Sequence, residues 1–157
     1  MQRYFVELAY RGTAYHGWQK QPGAVTVQET IEAALSTLLN QPIEVLGCGR
    51  TDAGVHASQF YLHFDGPDQL AENLLSRINK FLPKDIAIFR FLPVASEAHA
   101  RFDATQRSYE YHLTFRKNPF TMTTAYYFPM RRQLQVEALQ KAADILLAHQ
   151  SFFPFCK

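Results

Sequence analysis

The first ninety residues alternate between strand-like and helix-like hydrophobic periodicity, and the order of these segments limits the folds open to the chain. Apolar residues recur at every second position in a strand and at every third or fourth position in a helix. The predicted strands cover residues 4–10, 43–47, 59–64 and 86–91, and the predicted helices cover residues 27–39 and 70–81. The resulting order, βαββαβ, consists of two split βαβ units. It predicts an α+β fold in which a ferredoxin-like, four-stranded antiparallel sheet is backed by two helices.

Local signals mark both ends of the first helix. Thr26 suits the N-cap position because Glu29 follows three residues later, as in a capping box. Asn40 and Pro42 are expected to end the helix, since proline cannot continue it.

Residues 1–100 are predicted to form this first subdomain, and residues 101–157 to begin a second α+β subdomain. Residues 109–115 alternate as a fifth strand, and residues 126–128 are a candidate sixth strand. Apolar residues at helical spacing predict a third helix over residues 136–147.

Composition is typical of a globular chain, with 47% hydrophobic and 19% charged residues. The net charge is only +2, so a basic surface would have to come from local clustering. Cys48 and Cys156 lack metal-ligand spacing and are expected to be reduced thiols. No apolar run reaches the roughly 20 residues that cross a bilayer, and the N-terminus lacks a signal peptide. We therefore expect a cytoplasmic protein with neither a metal nor a membrane partner.

A glycine-rich run between the second and third predicted strands carries the main chemical signal. It reads GRTDAGVHA over residues 49–57 and places the carboxylate of Asp52 two residues after the guanidinium of Arg50. Thr-Asp-x-Gly is typical of a turn in which Asp bonds its own backbone. Asp52 and His56 also have the spacing of metal ligands on a helix, although Gly54 favours a loop and no third ligand stands out. A loop on a rigid sheet, with an acid beside a cation, is equally a common way to present a catalytic group.

Three motifs in this order resemble those of the TruA-type tRNA pseudouridine synthases, over essentially the whole chain. The run at residues 49–57 resembles the active-site loop of that family. The segment YRGTAYHGWQ at residues 10–19 resembles its first motif, with Arg11 where the family usually has Asp. The segment RFDATQRSYEY at residues 101–111 resembles its third motif, which is led by an arginine and precedes a tyrosine strand.

The resemblance implies an enzyme that isomerises uridine to pseudouridine in the tRNA anticodon stem-loop, with Asp52 as the catalytic residue. The N1–C1′ bond breaks, the uracil turns, and C5 joins C1′. No atoms are gained, so no cofactor is expected. The ionised carboxylate either attacks covalently or removes a ribose proton to give a glycal, and the residues do not distinguish these routes. Arg50 is expected to keep Asp52 charged and oriented, or alternatively to contact a phosphate.

Substrate binding is expected to involve Tyr109, Arg107 and Arg101. Tyr109 matches the tyrosine that the family holds against the flipped uracil, where stacking is worth about 1–3 kcal/mol per base. Read without the family, Tyr109 is a core or cross-strand aromatic residue. The further candidate RNA contacts are the basic side chains Arg11, Lys20, Arg116, Lys117, Arg131 and Arg132. By the same resemblance we expect a homodimer in which both subunits contact one tRNA.

Four residues near these motifs are expected to be structural. Trp18 and Tyr15 are interpreted as packing residues, and His56 and His63 as structural histidines rather than general bases.

Members of the family continue for roughly another hundred residues, a length on the scale of a domain. Residues 152–155, which read FFPF, resemble an interior stretch of such proteins, so the chain is expected to be a fragment. A non-catalytic RNA-binding module and an inactive fragment of the synthase are the alternatives. A small-molecule enzyme of ferredoxin-like fold has no supporting motif.

Overall fold

A four-stranded antiparallel sheet organises the first part of the chain in a computed structural model, which describes residues 1–153. Its strands are β1 (Gln2–Tyr10), β2 (Leu46–Gly47), β3 (Ala57–Gly66) and β4 (Ile86–Val94), and its helices are α1 (Val27–Leu39) and α2 (Leu74–Phe81). The strand order is β2-β3-β1-β4, so the two central strands are β1 and β3. This order confirms the predicted α+β class and is compatible with a ferredoxin-like subdomain.

The core lies on one face of this sheet. Tyr4, Val6, Leu8 and Tyr10 are buried at alternate positions of β1, because successive side chains of a strand point to opposite faces. They form one cluster with buried residues of both helices, including Ile31 and Leu35 of α1 and Ile78 of α2. The opposite face of β1 stays half-buried.

Helix α1 begins and ends where its local signals predict. The side chain of Thr26 accepts a hydrogen bond from the backbone N–H of Glu29 at 3.3 Å, which satisfies one of the free donors of the first turn. Asn40 follows the last turn in the left-handed conformation, with φ of 53°. Asparagine tolerates this conformation better than most residues.

The predicted second strand is shorter than expected, since only Leu46–Gly47 pairs with β3. The residues before it bond to α1 instead of to a strand. The backbone N–H of Ile43 donates to the hydroxyl of Ser36 at 2.9 Å, and that of Val45 donates to the carboxylate of Glu32 at 3.1 Å. Ile43 and Val45 are therefore buried and bonded to α1 without belonging to the sheet.

The chain divides into two compact units, Met1–Ser108 and the residues from Tyr109 onward. The predicted boundary near residue 100 stays a prediction. In the second unit, β5 (Leu113–Thr114) pairs in parallel with β6 (Tyr126–Tyr127). The fifth strand is thus much shorter than the predicted residues 109–115.

The third helix, α3 (Val136–Leu147), has the bounds that its periodicity predicts. Its apolar side chains, such as Leu139 and Leu147, are exposed. Residues 152–155, which resemble an interior stretch, lie partly outside the described residues. Phe153, which is described, is exposed.

Within residues 1–153, no helix combines the length and the hydropathy needed to cross a membrane. The same residues contain no group of three histidine, cysteine, aspartate or glutamate side chains arranged to hold a metal ion. The cytoplasmic location stays a prediction.

Candidate active site

The loop formed by residues 48–56, between β2 and β3, rests on the backbone of the first motif. The backbone N–H of Trp18 donates to the carbonyl oxygen of Thr51 at 3.0 Å, and that of Gly54 donates to the carbonyl oxygen of Tyr15 at 3.3 Å. At the end of the loop, the N–H of Gly12 donates to Nδ1 of His56 at 3.0 Å. Backbone groups on both sides of Asp52 are therefore held by the same supporting segment.

Two glycines make this close approach feasible. A Cβ atom at Gly12 would lie 2.0 Å from the carbonyl oxygen of Val55, and one at Gly17 would lie 2.5 Å from that of Thr51. Gly17 also has φ of +87°, which glycine adopts without steric cost. A larger residue at either position would displace the loop.

An aromatic cluster lies beneath the loop. Trp18 is 2% exposed, and the centroid of its ring lies 4.3 Å from that of Phe60. The hydroxyl of Tyr10 lies 2.9 Å from Oγ1 of Thr51, within hydrogen-bond distance. Burial raises the pKa of Tyr10 to about 12, so the phenol is neutral near pH 7 and can donate this bond. The buried positions of Trp18 and Tyr15 confirm their predicted packing roles.

Asp52 lies at the exposed tip of the loop. Its backbone carbonyl oxygen accepts a hydrogen bond from the N–H of Val55 at 3.2 Å, and Gly54 closes the turn with φ of +80°. Among residues 1–153, however, the carboxylate of Asp52 has neither a hydrogen bond nor an ion pair. The carboxylate is thus not used to build its own turn, which was the structural interpretation of Thr-Asp-x-Gly.

Arg50 is exposed and forms no ion pair with Asp52 within the described residues. It lines a groove of about 410 Å³ instead, together with Lys20 and Arg101. Support of Asp52 by Arg50 stays a prediction.

The groove brings three cations together from three separate segments, namely Lys20, Arg50 and Arg101. Two carboxylates, Glu32 and Glu44, also line it. Glu32 is only 8% exposed, and its carboxylate is already engaged, since it accepts from the N–H of Val45 at 3.1 Å and lies 3.4 Å from Nζ of Lys20. The groove can therefore accept an anionic group near Arg50 and Arg101.

Arg107 connects the third motif to the start of the loop. Its Nε and Nη2 donate to the carbonyl oxygen of Cys48 at 3.2 and 2.6 Å, and Nη2 also donates to that of Arg101 at 3.0 Å. The structure thus brings Arg107 and Arg101 to the Asp52 loop. Tyr109 belongs to the second unit, where its side chain is 81% exposed.

Both histidines near the loop have structural partners, as predicted. His56 accepts from Gly12, and His63 is 7% exposed and accepts from the N–H of Ala100 at 3.1 Å through Nδ1. Burial lowers the pKa of His63.

The sequence interpretation missed Tyr10 and Glu32 as supporting residues. Tyr10 occupies a core-facing position at the end of β1 and is also the first residue of the first motif, and these two features were its signals. Glu32 follows Gln28 by one helical turn, and the Nε2 atom of Gln28 donates to its carboxylate at 3.0 Å.

A family model described as tRNA pseudouridine synthase matches residues 8–103 of this chain. The matched region includes the loop at residues 48–56, the segment beneath it and the start of the third motif.

The whole chain is also similar to curated proteins named tRNA pseudouridine synthase A. It is 48% identical to that of Porphyromonas gingivalis, 47% to that of Bacteroides thetaiotaomicron and 45% to that of Parabacteroides distasonis. Each match covers 100% of this chain, and 63%, 58% and 62% of the respective relatives. The chain therefore spans about three-fifths of their length. These matches confirm the resemblance, and the chain belongs to the tRNA pseudouridine synthase family.

Proposed function

We propose that the chain is the catalytic part of a synthase that isomerises uridine to pseudouridine in tRNA, with Asp52 as the catalytic residue. One observation carries the proposal: Asp52 presents a carboxylate without a partner among the described residues, on a loop whose backbone is held on both sides. Catalytic groups are commonly presented by loops that a rigid scaffold positions, and this loop presents its carboxylate to solvent, where a substrate can bind.

The reaction needs one ionised carboxylate beside the sugar and the base. The N1–C1′ bond breaks and C5 bonds to C1′, after which the hydrogen on C5 leaves as a proton and N1 gains one. The isomerisation balances without an oxidant, a reductant or a cofactor. Asp52 either attacks the sugar covalently or removes a ribose proton to give a glycal, and both routes use the same exposed oxygen atoms.

Binding of RNA is supported by the cations of the groove. Arg50 and Arg101 line one groove within the unit that carries Asp52, although the chain's net charge is only +2, and Lys20 of the same groove is paired with Glu32. Phosphate contacts of this kind supply most non-specific affinity for nucleic acids and weaken as salt is added. Arg50 would then contact a phosphate next to the flipped nucleotide.

The remaining parts of the proposal come from the family resemblance. The substrate is the anticodon stem-loop of tRNA, the flipped uracil stacks on Tyr109, and two copies of the protein contact one tRNA. The reaction takes place in the cytoplasm. Base flipping costs a few kcal/mol, and stacking on an aromatic ring offsets about 1–3 kcal/mol of it.

Tritium release from tRNA that carries 5-tritiated uridine tests the proposal, because only bond formation at C5 releases the label. We expect release by the chain and none by Asp52→Asn. Asp68→Asn is the matched control, since Asp68 is highly exposed and its carboxylate pairs with the N-terminal amine. Release by Asp52→Asn at the wild-type rate would exclude Asp52 as the catalytic residue.

A chimaeric protein controls for the difference in length between this chain and its relatives. Because the chain corresponds to the N-terminal three-fifths or so of its relatives, the assay is repeated with the remaining segment of the Porphyromonas gingivalis relative joined to it. If the chimaera releases tritium and its Asp52→Asn variant does not, the proposal is supported even when the chain alone releases none. Binding of tRNA without release by either protein would favour the RNA-binding module.

A further inference from the structure

The peptide of Cys48 is the point at which the candidate active-site loop leaves the sheet. Its N–H donates to the carbonyl oxygen of Tyr61 on β3 at 2.7 Å, and its carbonyl oxygen accepts both bonds from Arg107. Beyond Cys48, the next anchor is Thr51, whose carbonyl oxygen accepts from Trp18. Asp52 follows directly, so these two anchors determine the course of the backbone that leads to the carboxylate.

Arg107 covers Gly49, the first of the two residues between the anchors. Gly49 has no Cβ and therefore more backbone freedom than any other residue would have. The side chain of Arg107 covers it, because a Cβ at Gly49 would lie 3.4 Å from Nε of Arg107. Arg50 comes next and lines the groove.

The guanidinium of Arg107 suits this position because it is a planar, preorganised fork of donors. Nε and Nη2 converge on the carbonyl oxygen of Cys48, while Nη2 also reaches that of Arg101 in its own segment. Arg107 thereby joins the loop to the third motif across 59 residues of sequence. A lysine carries the same charge but lacks the fork.

We propose that Arg107 is a positioning residue for Asp52, acting through the carbonyl oxygen of Cys48, rather than a residue that contacts tRNA. This inference rests on the proposed function, since the position of Asp52 affects turnover only if Asp52 is catalytic. It differs from the sequence expectation, which assigns Arg107 to substrate binding. A displacement of about 1 Å at a catalytic group is enough to lower turnover about a hundredfold.

Two variants separate positioning from phosphate binding. Arg107→Lys keeps the charge and loses the fork, whereas Arg107→Gln loses both. The matched control is Arg77→Gln, an exposed arginine on α2. Each protein is measured for amide hydrogen exchange, for kcat and KM by tritium release in the chain and the chimaera, and for the salt dependence of tRNA binding.

We expect both Arg107 variants to exchange the amides of Cys48 and Trp18 faster, while amides in the middle of β1 remain protected. The kcat should fall about 10- to 100-fold in both variants, with KM nearly unchanged. The slope of log affinity against log salt should equal that of the wild type, because no phosphate contact is lost.

The opposite pattern would overturn the inference. If Arg107 contacts a phosphate, Arg107→Lys should behave like the wild type, and Arg107→Gln should reduce the salt slope by about 1. Unchanged exchange at Cys48 and Trp18 would overturn it as well. The exchange measurement needs no substrate. If neither the wild-type chain nor the wild-type chimaera releases tritium, that result counts against the proposed function, while the exchange data still decide whether Arg107 holds the loop.

Discussion

Gly12 lies against Val55 so closely that a Cβ atom on Gly12 would be 2.0 Å from the carbonyl oxygen of Val55. The N–H of the same glycine donates to Nδ1 of His56, 3.0 Å away. The first motif and the candidate active-site loop are therefore in direct backbone contact, with no room for a side chain between them.

Gly12→Ala should displace the loop and lower both stability and activity. Overpacking of this kind costs about 1–3 kcal/mol of unfolding free energy, and the loop is expected to move away from its support. Urea unfolding and tritium release measure the two effects.

The matched control is Gly49→Ala, because its added Cβ would meet only the side chain of Arg107, at an ordinary contact distance of 3.4 Å. The φ of Gly49 also lies outside the left-handed region. This variant should keep its stability to within about 0.5 kcal/mol. Equal losses in the two variants would contradict the steric explanation.

Tyr10→Phe should remove the hydrogen bond to Thr51 and lower the unfolding free energy by about 0.5–1.5 kcal/mol. Burial raises the pKa of Tyr10 from its ordinary value of 10.0 to about 12. Because burial makes the pKa of Tyr10 higher in the folded than in the unfolded protein, the buried neutral phenol contributes stability that is present below about pH 10 and lost as the pH rises towards 12. Unfolding free energies at pH 8 and pH 11 should therefore differ less in Tyr10→Phe than in the wild type. An equal difference would show that the alkaline loss arises elsewhere.

His63 should make the fold sensitive to mild acid. Its pKa is lowered by burial first, then by the charges of Arg3 and His99, against the opposite effects of Asp65 and Asp103. A histidine with a depressed folded pKa stabilises the fold above its ordinary value of 6.5, and this contribution is lost as the pH falls. The unfolding free energy should thus decrease between pH 7.5 and pH 5, and the decrease should be smaller in His63→Gln. Urea unfolding at the two pH values measures this decrease. An equal decrease in the wild type and in His63→Gln would show that His63 is not its source.

Arg50→Gln and Arg101→Gln should each weaken tRNA binding and reduce its salt slope by about 1, if the groove holds phosphates. Lys80→Gln, at an exposed position in the last turn of α2, is the control and should leave the slope unchanged. Filter binding or fluorescence anisotropy at several salt concentrations gives the slopes. Unchanged slopes in both groove variants would place the RNA elsewhere.

Elements with strong local signals were predictable from the sequence. Helix α1 has the predicted cap at Thr26, and α3 has the predicted bounds, because capping and helical periodicity depend on residues within a few positions of each other. The long central strands were recognisable for the same reason, since alternation is a local pattern.

The second strand was predicted less well. Ile43 and Val45 alternate with Glu44 as in a strand, but the N–H groups of Ile43 and Val45 bond to Ser36 and Glu32 of α1 rather than to β3. Hydrophobic periodicity reports burial and does not specify which partner satisfies the backbone. The fifth strand was overestimated for a similar reason, because only Leu113–Thr114 pairs with β6.

By itself, the sequence determined the order of the elements, the family, and the position of Asp52 in a glycine-rich loop between two strands. Only the tertiary structure decided what surrounds that loop: the guanidinium of Arg107 lies on the carbonyl oxygen of Cys48, and Arg50 lines a groove rather than pairing with Asp52. The physical reason is distance along the chain. A bond between residues 59 positions apart depends on the path of the folded backbone, which no local pattern of side chains encodes.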